Sequence, residues 1–352
     1  MKLVKWQGLG NDYLVVEESA LPAALTPAAI VVLCDRHLGV GADGILLHAC
    51  PTGAIPGALA RMRIFNPDGS ESEMCGNGIR IFARYLARSG QVDREEFVIE
   101  TLAGPIVPRL LDNERVRVHM GKARFRSANV APEASLPAGS ATVPEGDVVG
   151  ALLHAGSRQY RFTFVDVGNP HCVIVVDDPA SFDVAGVGSV IERLPLFPNR
   201  VNVEFIRVEA DGAVRMRVWE RGAGETRACG TGATAVGAAC VRLGLAKSPV
   251  LVRLPGGDLT IEVEPDEAGA AASVGDGGMA SSAVRATAEL STSPGLRVFM
   301  SGPAEEVFTC DLANDLLRRL GWSAPAPSER RRILGVSNDR RDTVRLNEQR
   351  GG

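Results

Sequence analysis

The sequence predicts an α+β fold of two related halves that face each other across one cleft. The first sign is a twofold pattern of apolar strand, Gly-rich turn and helix. Residues 65–80 read F-N-P-D-G-S-E-S-E-M-C-G-N-G-I-R, and residues 220–233 read E-R-G-A-G-E-T-R-A-C-G-T-G-A. Cys75 and Cys229 stand in the two turns, in C-G-N-G and C-G-T-G. The second sign is an echo further upstream: G-L-G-N-D at 8–12 and D-V-G-N-P-H at 166–171. Asn11 precedes Cys75 by nearly the offset at which Asn169 precedes Cys229, and two motifs repeating in order indicate an internal duplication. Short apolar runs joined by turns (97–101, 104–111, 116–120) are the third sign. They suggest an antiparallel sheet wrapping the helix rather than a β-α-β alternation with a parallel sheet.

Composition narrows the class. The chain has 352 residues, 45% of them hydrophobic and 23% charged, with a net charge of −4. That is long enough for two domains with a substantial core. The balance is that of a soluble globular protein and argues against nucleic acid as the main partner, which would favour a basic face. No apolar run is long enough to span a bilayer, and the N-terminus lacks the apolar stretch of a signal peptide. Seven cysteines at irregular spacing, without C-x-x-C, speak against a disulfide framework or a Cys-rich zinc site. A reducing cytoplasm fits. Five histidines give little support to a multi-His metal site, so no metal is expected.

In chain order, 2–6 and 13–17 read as strands joined by the tight turn G-L-G-N-D, where Asn11 has the ready bland explanation of a turn residue. Residues 27–34 read as a helix. The Gly-rich loop C-D-R-H-L-G-V-G-A-D-G, 34–44, enters a strand at 44–48. It lacks the Lys-Ser/Thr of a nucleotide loop and reads as support for the cleft, with Asp43 placed to orient neighbours. Helical periodicity follows the first Cys motif at 79–87, and an Ala-rich buried helix follows the second at 233–243. The stretch 127–149, rich in Ala, Pro, Ser and Gly, marks the crossover between halves. Strands follow near 149–153, 160–167, 168–176, 197–206, 214–218 and 255–263. Residues 265–295 form a low-complexity insertion without hydrophobic period, read as flexible. A strand resumes at 296–301, a short helix is expected within 311–322, and 323–352 reads as a disordered polar tail.

A thiol at the start of a helix has a distinct chemistry. The first N–H groups of a helix are unpaired and lie at the positive end of its dipole, a site suited to a carboxylate. The same field favours a thiolate. Two such thiols on opposite sides of a pocket can invert a stereocentre that bears an acidic proton. One thiolate removes the proton from one face and the opposing thiol returns a proton to the other, giving a bell-shaped pH profile that belongs to the pair. Helix-terminal donors aimed at the adjoining carboxylate stabilise the carbanion, so a dry, preorganised site requires no electron-sink cofactor.

The motifs G-L-G-N-D, G-V-G-A-D-G, F-N-P-D-G-S-E-S-E-M-C-G-N-G-I-R, G-N-P-H, N-R-V-N-V-E-F, W-E-R-G-A-G-E-T-R-A-C-G-T-G-A and G-P-A-E-E-V-F, in that order, closely resemble the diaminopimelate epimerases. The resemblance runs from residue 1 to about 263 and resumes from 297 to about 311. It implies two pseudo-symmetric domains, each a mostly antiparallel or mixed sheet around a central helix, with the active site between them. It also implies a cofactor-independent, homodimeric, cytoplasmic enzyme that interconverts LL- and meso-2,6-diaminopimelate in lysine and peptidoglycan-precursor synthesis. The halves would be 1–121, completed by 296–310, and 122–264, with the insertion 265–295 and the extension 311–352 outside them.

By position, the resemblance makes Cys75 the catalytic thiol that usually acts as proton donor and Cys229 the one that acts as acceptor. Gly76 with Asn77, and Gly230 with Thr231, would offer helix-terminal donors to the reacting carboxylate. Asn11, Asn66, Asn169, Asn202, Glu220 and Arg221 match substrate-binding positions, Arg221 being suited to the distal carboxylate. His171 and Glu220 match positions that support the thiols. Two departures stand out. Gly44 occupies the place where some relatives use Gln to contact substrate, and the 265–295 insertion splits what is usually a short hairpin.

Other classes fit less well. A proline or hydroxyproline racemase typically carries His where Asn77 stands, and its substrate has no distal end for Arg221. A Cys-His hydrolase using His171 would leave one Cys motif unexplained. For a non-enzymatic binding module, the paired thiols would be coincidence.

Overall fold

The computed structural model describes residues 1–73, 75–266 and 295–322. The first half runs β1 (Lys2–Gly8), β2 (Asn11–Glu17), α1 (Pro27–Cys34), β3 (Gly44–Ala49), β4 (Ala58–Phe65), β5 (Glu71–Ser72), α2 (Gly76–Arg88), β6 (Val98–Thr101) and β7 (Gly104–Ile106). A linking set follows: β8 (Arg109–Leu110), β9 (Arg115–Ala123), β10 (Ala141–Thr142) and β11 (Ala151–Ala155). The second half runs β12 (Arg158–Asp166), β13 (Pro170–Val175), α3 (Val184–Ile191), β14 (Asn202–Val208), β15 (Val214–Glu220), β16 (Gly224–Thr226), α4 (Gly230–Arg242), β17 (Val250–Leu254) and β18 (Gly257–Pro265). The chain resumes as β19 (Leu296–Pro303), β20 (Glu305–Asp311) and α5 (Asn314–Arg319). The insertion expected at 265–295 and the tail expected to be disordered from 323 fall almost wholly outside the described residues.

The strands form two sheets, α+β in class. One has the order β20-β1-β2-β3-β4-β6-β7, with β5 on β4; the other has the order β10-β11-β12-β13-β14-β15-β17-β18-β19-β9-β8, with β16 on β15. Within them β1 to β7 and β12 to β18 follow the same path. The duplication read from the motifs is therefore a duplication of topology.

One expectation needs correcting. The pairs β2–β3, β4–β6, β13–β14 and β15–β17 are parallel. Each is bridged by a helix, α1, α2, α3 and α4 in turn, so four β-α-β crossovers lie inside otherwise antiparallel sheets. Three of the helices were read from the sequence, but α3, a Gly- and Val-rich octapeptide, was not, and the direction in which the flanking strands pair is set by distant segments.

The helices α2 and α4 are central. In α4, every residue from Gly232 to Cys240 is buried, as are Ile79, Arg80, Ile81, Phe82 and Ala83 in α2. A helix buried all round needs small side chains where strands approach. At Gly237 an added Cβ would lie 2.5 Å from the Ile261 side chain. Residues of both helices share one apolar core with strands of both sheets. Both helices start three residues earlier than their apolar periodicity indicates, at Gly76 and Gly230. The reason is the cap. Cys75 and Cys229 are themselves the N-cap residues, in extended conformation, and each Sγ accepts the N–H of the third helical residue, Gly78 at 3.3 Å and Gly232 at 3.4 Å. Sulfur thus takes the place usually held by a Ser, Thr or Asp oxygen.

The turn between β1 and β2 locks the two halves. Leu9 and Gly10 take φ of 61° and 85°, the paired positive values of a two-residue hairpin turn. Leu9 is buried, and a Cβ on Gly256 of the second half would lie 2.0 Å from the Leu9 carbonyl oxygen. Only glycine at 256 lets the turn dock there, next to Asn11, whose Oδ1 meets Asn77.

Candidate active site

The matching topologies give residue equivalences across the site. Tyr13 of β2 pairs with Gly44 of β3, and His171 of β13 pairs with Asn202 of β14. Phe65 of β4 pairs with Ile45 and Glu71, while Trp219 of β15 pairs with Val203 and Glu225. So Asn11 corresponds to Asn169, Tyr13 to His171, Gly44 to Asn202, Leu46 to Glu204, Asn66 to Glu220 and Cys75 to Cys229.

On the first side, a connected set of hydrogen bonds fixes two amides. Arg36 holds both Asp12 and Asp43, and Asp43 accepts from the Asn11 side chain at 3.0 Å. That turns Oδ1 of Asn11 toward Nδ2 of Asn77, at 3.2 Å. The Asn77 oxygen in turn accepts from Arg80 at 2.8 Å. Beside them the Tyr13 hydroxyl lies 3.2 Å from Sγ of Cys75. Burial, with Cys75 next to it, pushes the Tyr13 hydroxyl far above its ordinary range, so it stays an O–H and can donate to a thiolate.

On the second side, a chain of the same kind ends on the other thiol. Nε2 of His171 lies 3.0 Å from the Asn169 oxygen, and Nδ2 of Asn169 donates to the Thr231 hydroxyl at 3.3 Å. The Thr231 hydroxyl is 3.5 Å from Sγ of Cys229. Behind His171 is Glu204, whose Oε1 lies 2.6 Å from Nδ1; both residues are fully buried. Burial pushes the Glu204 carboxyl up, and His171 opposes that shift. The Asn169 amide nitrogen is directed at Thr231 and its oxygen faces Nε2 of His171.

The second thiol departs from the reading that a helix start lowers a thiol's pKa. Burial pushes Cys229 well above its ordinary range, and the Glu220 and Glu204 carboxylates add to this. The Thr231 hydroxyl and the Gly232 N–H act in the opposite direction. At this closed site desolvation outweighs the helix terminus.

The two sides meet at the helix starts. Met300 of β19 lies against both: a Cβ on Gly76 would be 3.3 Å from Met300 Cε, and one on Gly230 would be 3.2 Å from Met300 Sδ. The same Cβ on Gly230 would lie 3.6 Å from Oδ1 of Asn77. Small residues at both positions therefore bring the two N-termini together.

Among the remaining expected residues, Asn202 ties the site to its rim. Its Nδ2 donates to the Pro170 carbonyl at 3.0 Å, and its Oδ1 accepts the Arg221 N–H at 2.9 Å. Arg221 also donates to the Asn199 carbonyl at 2.9 Å, and Glu220 accepts from the Thr226 hydroxyl. Asn66, at the end of β4, donates to Ser70 at 2.9 Å and, among the described residues, is not hydrogen-bonded to the two amide chains. Position 44 has no room for a side chain, since a Cβ there would lie 2.5 Å from the Phe65 carbonyl oxygen and 2.7 Å from the Tyr13 ring. The longer side chain of a Gln does not fit this backbone.

Among the participants not read from the sequence are Tyr13, Arg80 and Glu204. The signal for two of them was present. Tyr13 follows Asn11 as His171 follows Asn169, and Glu204 alternates with Asn202 on one strand face. Among the described residues there is no group of three His, Cys, Asp or Glu side chains arranged to hold a metal ion, and no helix long and apolar enough to cross a membrane.

The family model described as diaminopimelate epimerase matches residues 3–126 and 163–279. The diaminopimelate epimerase of Desulforudis audaxviator is 44% identical over 88% of this chain and 98% of its own length. That of Pelotomaculum thermopropionicum is 43% identical over 88% and 98%. Among solved structures, a probable proline racemase from Agrobacterium radiobacter K84 aligns with a TM-score of 0.56 at 16% identity, covering 89% of this chain and 92% of the other. A Bacillus anthracis phenazine biosynthesis protein of the PhzF family aligns with a TM-score of 0.57 at 17% identity, covering 89% and 99%. These distant likenesses establish the fold. The family-model match and the high-coverage identities establish more: the chain belongs to the diaminopimelate epimerase family.

Proposed function

We propose that the chain interconverts LL- and meso-2,6-diaminopimelate by proton transfer between two thiols and the α-carbon, without a cofactor. The observation that carries this reading is the pairing of Cys75 and Cys229 as N-caps of two buried helices whose first residues converge on Met300 and Asn77. A thiolate on one side takes the α-proton, and the electron pair left behind spreads onto the adjoining carboxylate. The N–H groups at the starts of α2 and α4 face that carboxylate and stabilise the charge. The opposing thiol then delivers its proton to the other face, and the two cysteines exchange roles in the reverse direction. Asn11, Asn66, Asn77, Asn169, Asn202, Glu220 and Arg221 form the substrate-binding set, with Arg221 on the distal carboxylate. The His171–Asn169–Thr231 chain orients the Cys229 thiol.

The same reading places the enzyme in the cytoplasm, in lysine and peptidoglycan-precursor synthesis, as a homodimer. Pairing of β20 with β1 supports counting 305–310 with the first half, whereas 296–303, as β19, lie between β18 and β9 in the other sheet. β20 is also an edge strand, with Val307 and Phe308 exposed, a surface of the kind a second copy covers.

Single variants test the two-thiol reading. Cys75→Ala and Cys229→Ala should each abolish turnover while leaving the melting transition in place. Retained epimerisation by either variant would overturn it.

A further inference from the structure

Glu192 follows the last residue of α3 and is buried, 1% exposed, yet it stands outside the thiol chemistry. Its carboxylate reaches across to β15 and the turn after it. Oε2 accepts from the Trp219 indole at 2.8 Å, and Oε1 accepts from the Gly222 N–H at 3.1 Å and from Arg200 at 3.4 Å. Burial raises the Glu192 carboxyl, but the Trp219 and Gly222 bonds, with Arg200 beside them, outweigh it and hold it below its ordinary value, so it is an anion at neutral pH. A charge taken out of water is costly and needs partners of this kind.

Between Trp219 and Gly222 stand Glu220 and Arg221, both in the substrate-binding set. They open a tight turn: the Ala223 N–H donates to the Glu220 carbonyl at 3.1 Å, and Gly222 has a φ of 78°. These are the marks of a type II turn, whose central peptide, here Arg221–Gly222, is turned over relative to type I. The two backbone dihedrals of a residue are set by the peptide planes on either side of it. For Arg221 the preceding plane is held through its own N–H, which Asn202 Oδ1 accepts at 2.9 Å. The following plane is held by Glu192, the one acceptor of the Gly222 N–H among the described residues. Asn202 fixes one plane and Glu192 the other. The Arg221 guanidinium then meets the Asn199 carbonyl at 2.9 Å. The next residue, Arg200, has a left-handed φ of 58° and rests its guanidinium on Glu192. One carboxylate thus bears on the turn that carries Arg221 and on the turn that receives it.

The first half serves as an internal comparison. Asn66 corresponds to Glu220, so Pro67 stands where Arg221 stands, and the Gly69 N–H closes the same turn on the Asn66 carbonyl at 3.0 Å. The acid at the end of α1, Asp35, does not cross over; it accepts from the N–H groups of His37 and Leu38 in its own loop. Proline fixes its own φ and has no N–H to place. The crossing carboxylate belongs to the half whose turn carries an arginine.

Resting on the epimerase reading above, we propose that Glu192 is a positioning residue for substrate binding: it locks the Arg221–Gly222 peptide and so holds Arg221 ready for the distal carboxylate.

The test uses the whole chain as wild type, Glu192→Leu, Arg221→Met and the double variant. Three quantities are measured: kcat and KM for LL-diaminopimelate, the melting transition, and the rate at which trypsin cuts the native protein after Arg221 relative to Lys247, both exposed (followed by mass spectrometry). Leucine keeps most of the volume and removes the acceptor. Glu192→Leu should raise KM about tenfold and change kcat by less than about threefold, the signature of lost binding shared by ground and transition states. Cutting after Arg221 should speed up about tenfold relative to cutting after Lys247, since a turn released from its anchor fits a protease more readily. In the Arg221→Met background the same change should raise KM less than about twofold further, because the two residues act as a unit. A merely structural Glu192 would raise KM alike in both backgrounds, or speed cutting alike at both sites. Either of those results, or a KM for Glu192→Leu within about twofold of wild type, would overturn the proposal. Should Glu192→Leu not fold, Glu192→Asp, one methylene too short to reach both Trp219 and Gly222, decides it by the same KM and cleavage readings. Wild type inactive on diaminopimelate would instead strike the epimerase reading, and the trypsin ratio would still judge Glu192.

Discussion

Tyr13 stands in the first half where His171 stands in the second. Each follows an asparagine by two residues, and each is paired in parallel with the next strand, to Gly44 and Asn202 respectively. The two halves have kept one scaffold and put different polar groups behind their thiols. Tyr13 touches Cys75 directly at 3.2 Å, whereas His171 reaches Cys229 through Asn169 and Thr231. The two halves match in topology and differ in the polar groups that reach their thiols.

Tyr13→Phe keeps the ring and removes only the hydroxyl. The fold should survive with a melting temperature close to wild type, because the buried ring makes the packing contacts. Turnover should fall by roughly tenfold, the loss of about 1.4 kcal/mol of hydrogen bonding to an anionic sulfur. Steady-state epimerisation beside a thermal melt checks it; unchanged turnover would leave the Tyr13–Cys75 contact without a catalytic consequence.

Asp12 should make stability depend on acid. Burial raises its carboxyl, but hydrogen bonds from Arg36 and Lys5 outweigh that and hold it at about 2, below its ordinary 3.8. A depressed acid binds fewer protons when folded than when unfolded. Its contribution is therefore complete above 3.8 and is lost as pH falls from there through 2. Allowing for solvent screening, the amount is about 1 kcal/mol. Denaturant melts between pH 2 and 6 should show a steeper acid loss for wild type than for Asp12→Asn, which begins less stable at neutral pH.

Gly44→Ala should destabilise the protein without altering any charged group. The added methyl meets the Phe65 carbonyl oxygen at 2.5 Å and the Tyr13 ring at 2.7 Å. Backbone cannot yield as a flexible side-chain tip can, so the cost should be about 1–3 kcal/mol. Urea melts read it directly, and a variant as stable as wild type would show that β3 can shift away from β4.

Much of this site was legible in the chain before any coordinates. The two Cys motifs and the two Asn echoes mark the duplication, and the helix starts follow from Gly-rich turns after apolar strands. Other features depend on register, which no single stretch encodes. Glu204 is an ordinary polar residue in N-V-E-F until pairing of β13 with β14 sets it behind His171. Arg80 reads as the polar face of an amphipathic helix, yet β1, α2 and β19 close over it. The lowered thiol pKa expected of a helix start was overridden at Cys229 by burial, which local sequence does not report. The β-α-β crossovers escaped because parallel pairing is a property of distant segments.

The most direct test of the two-thiol reading is proton NMR of the purified chain with LL-diaminopimelate in D2O, under reducing conditions and without added cofactor. Loss of the α-proton signal together with growth of the meso isomer is the predicted result, since the proton returned to the second face comes from a solvent-exchanged thiol. A substrate signal that persists unchanged, with no meso isomer formed, would contradict it.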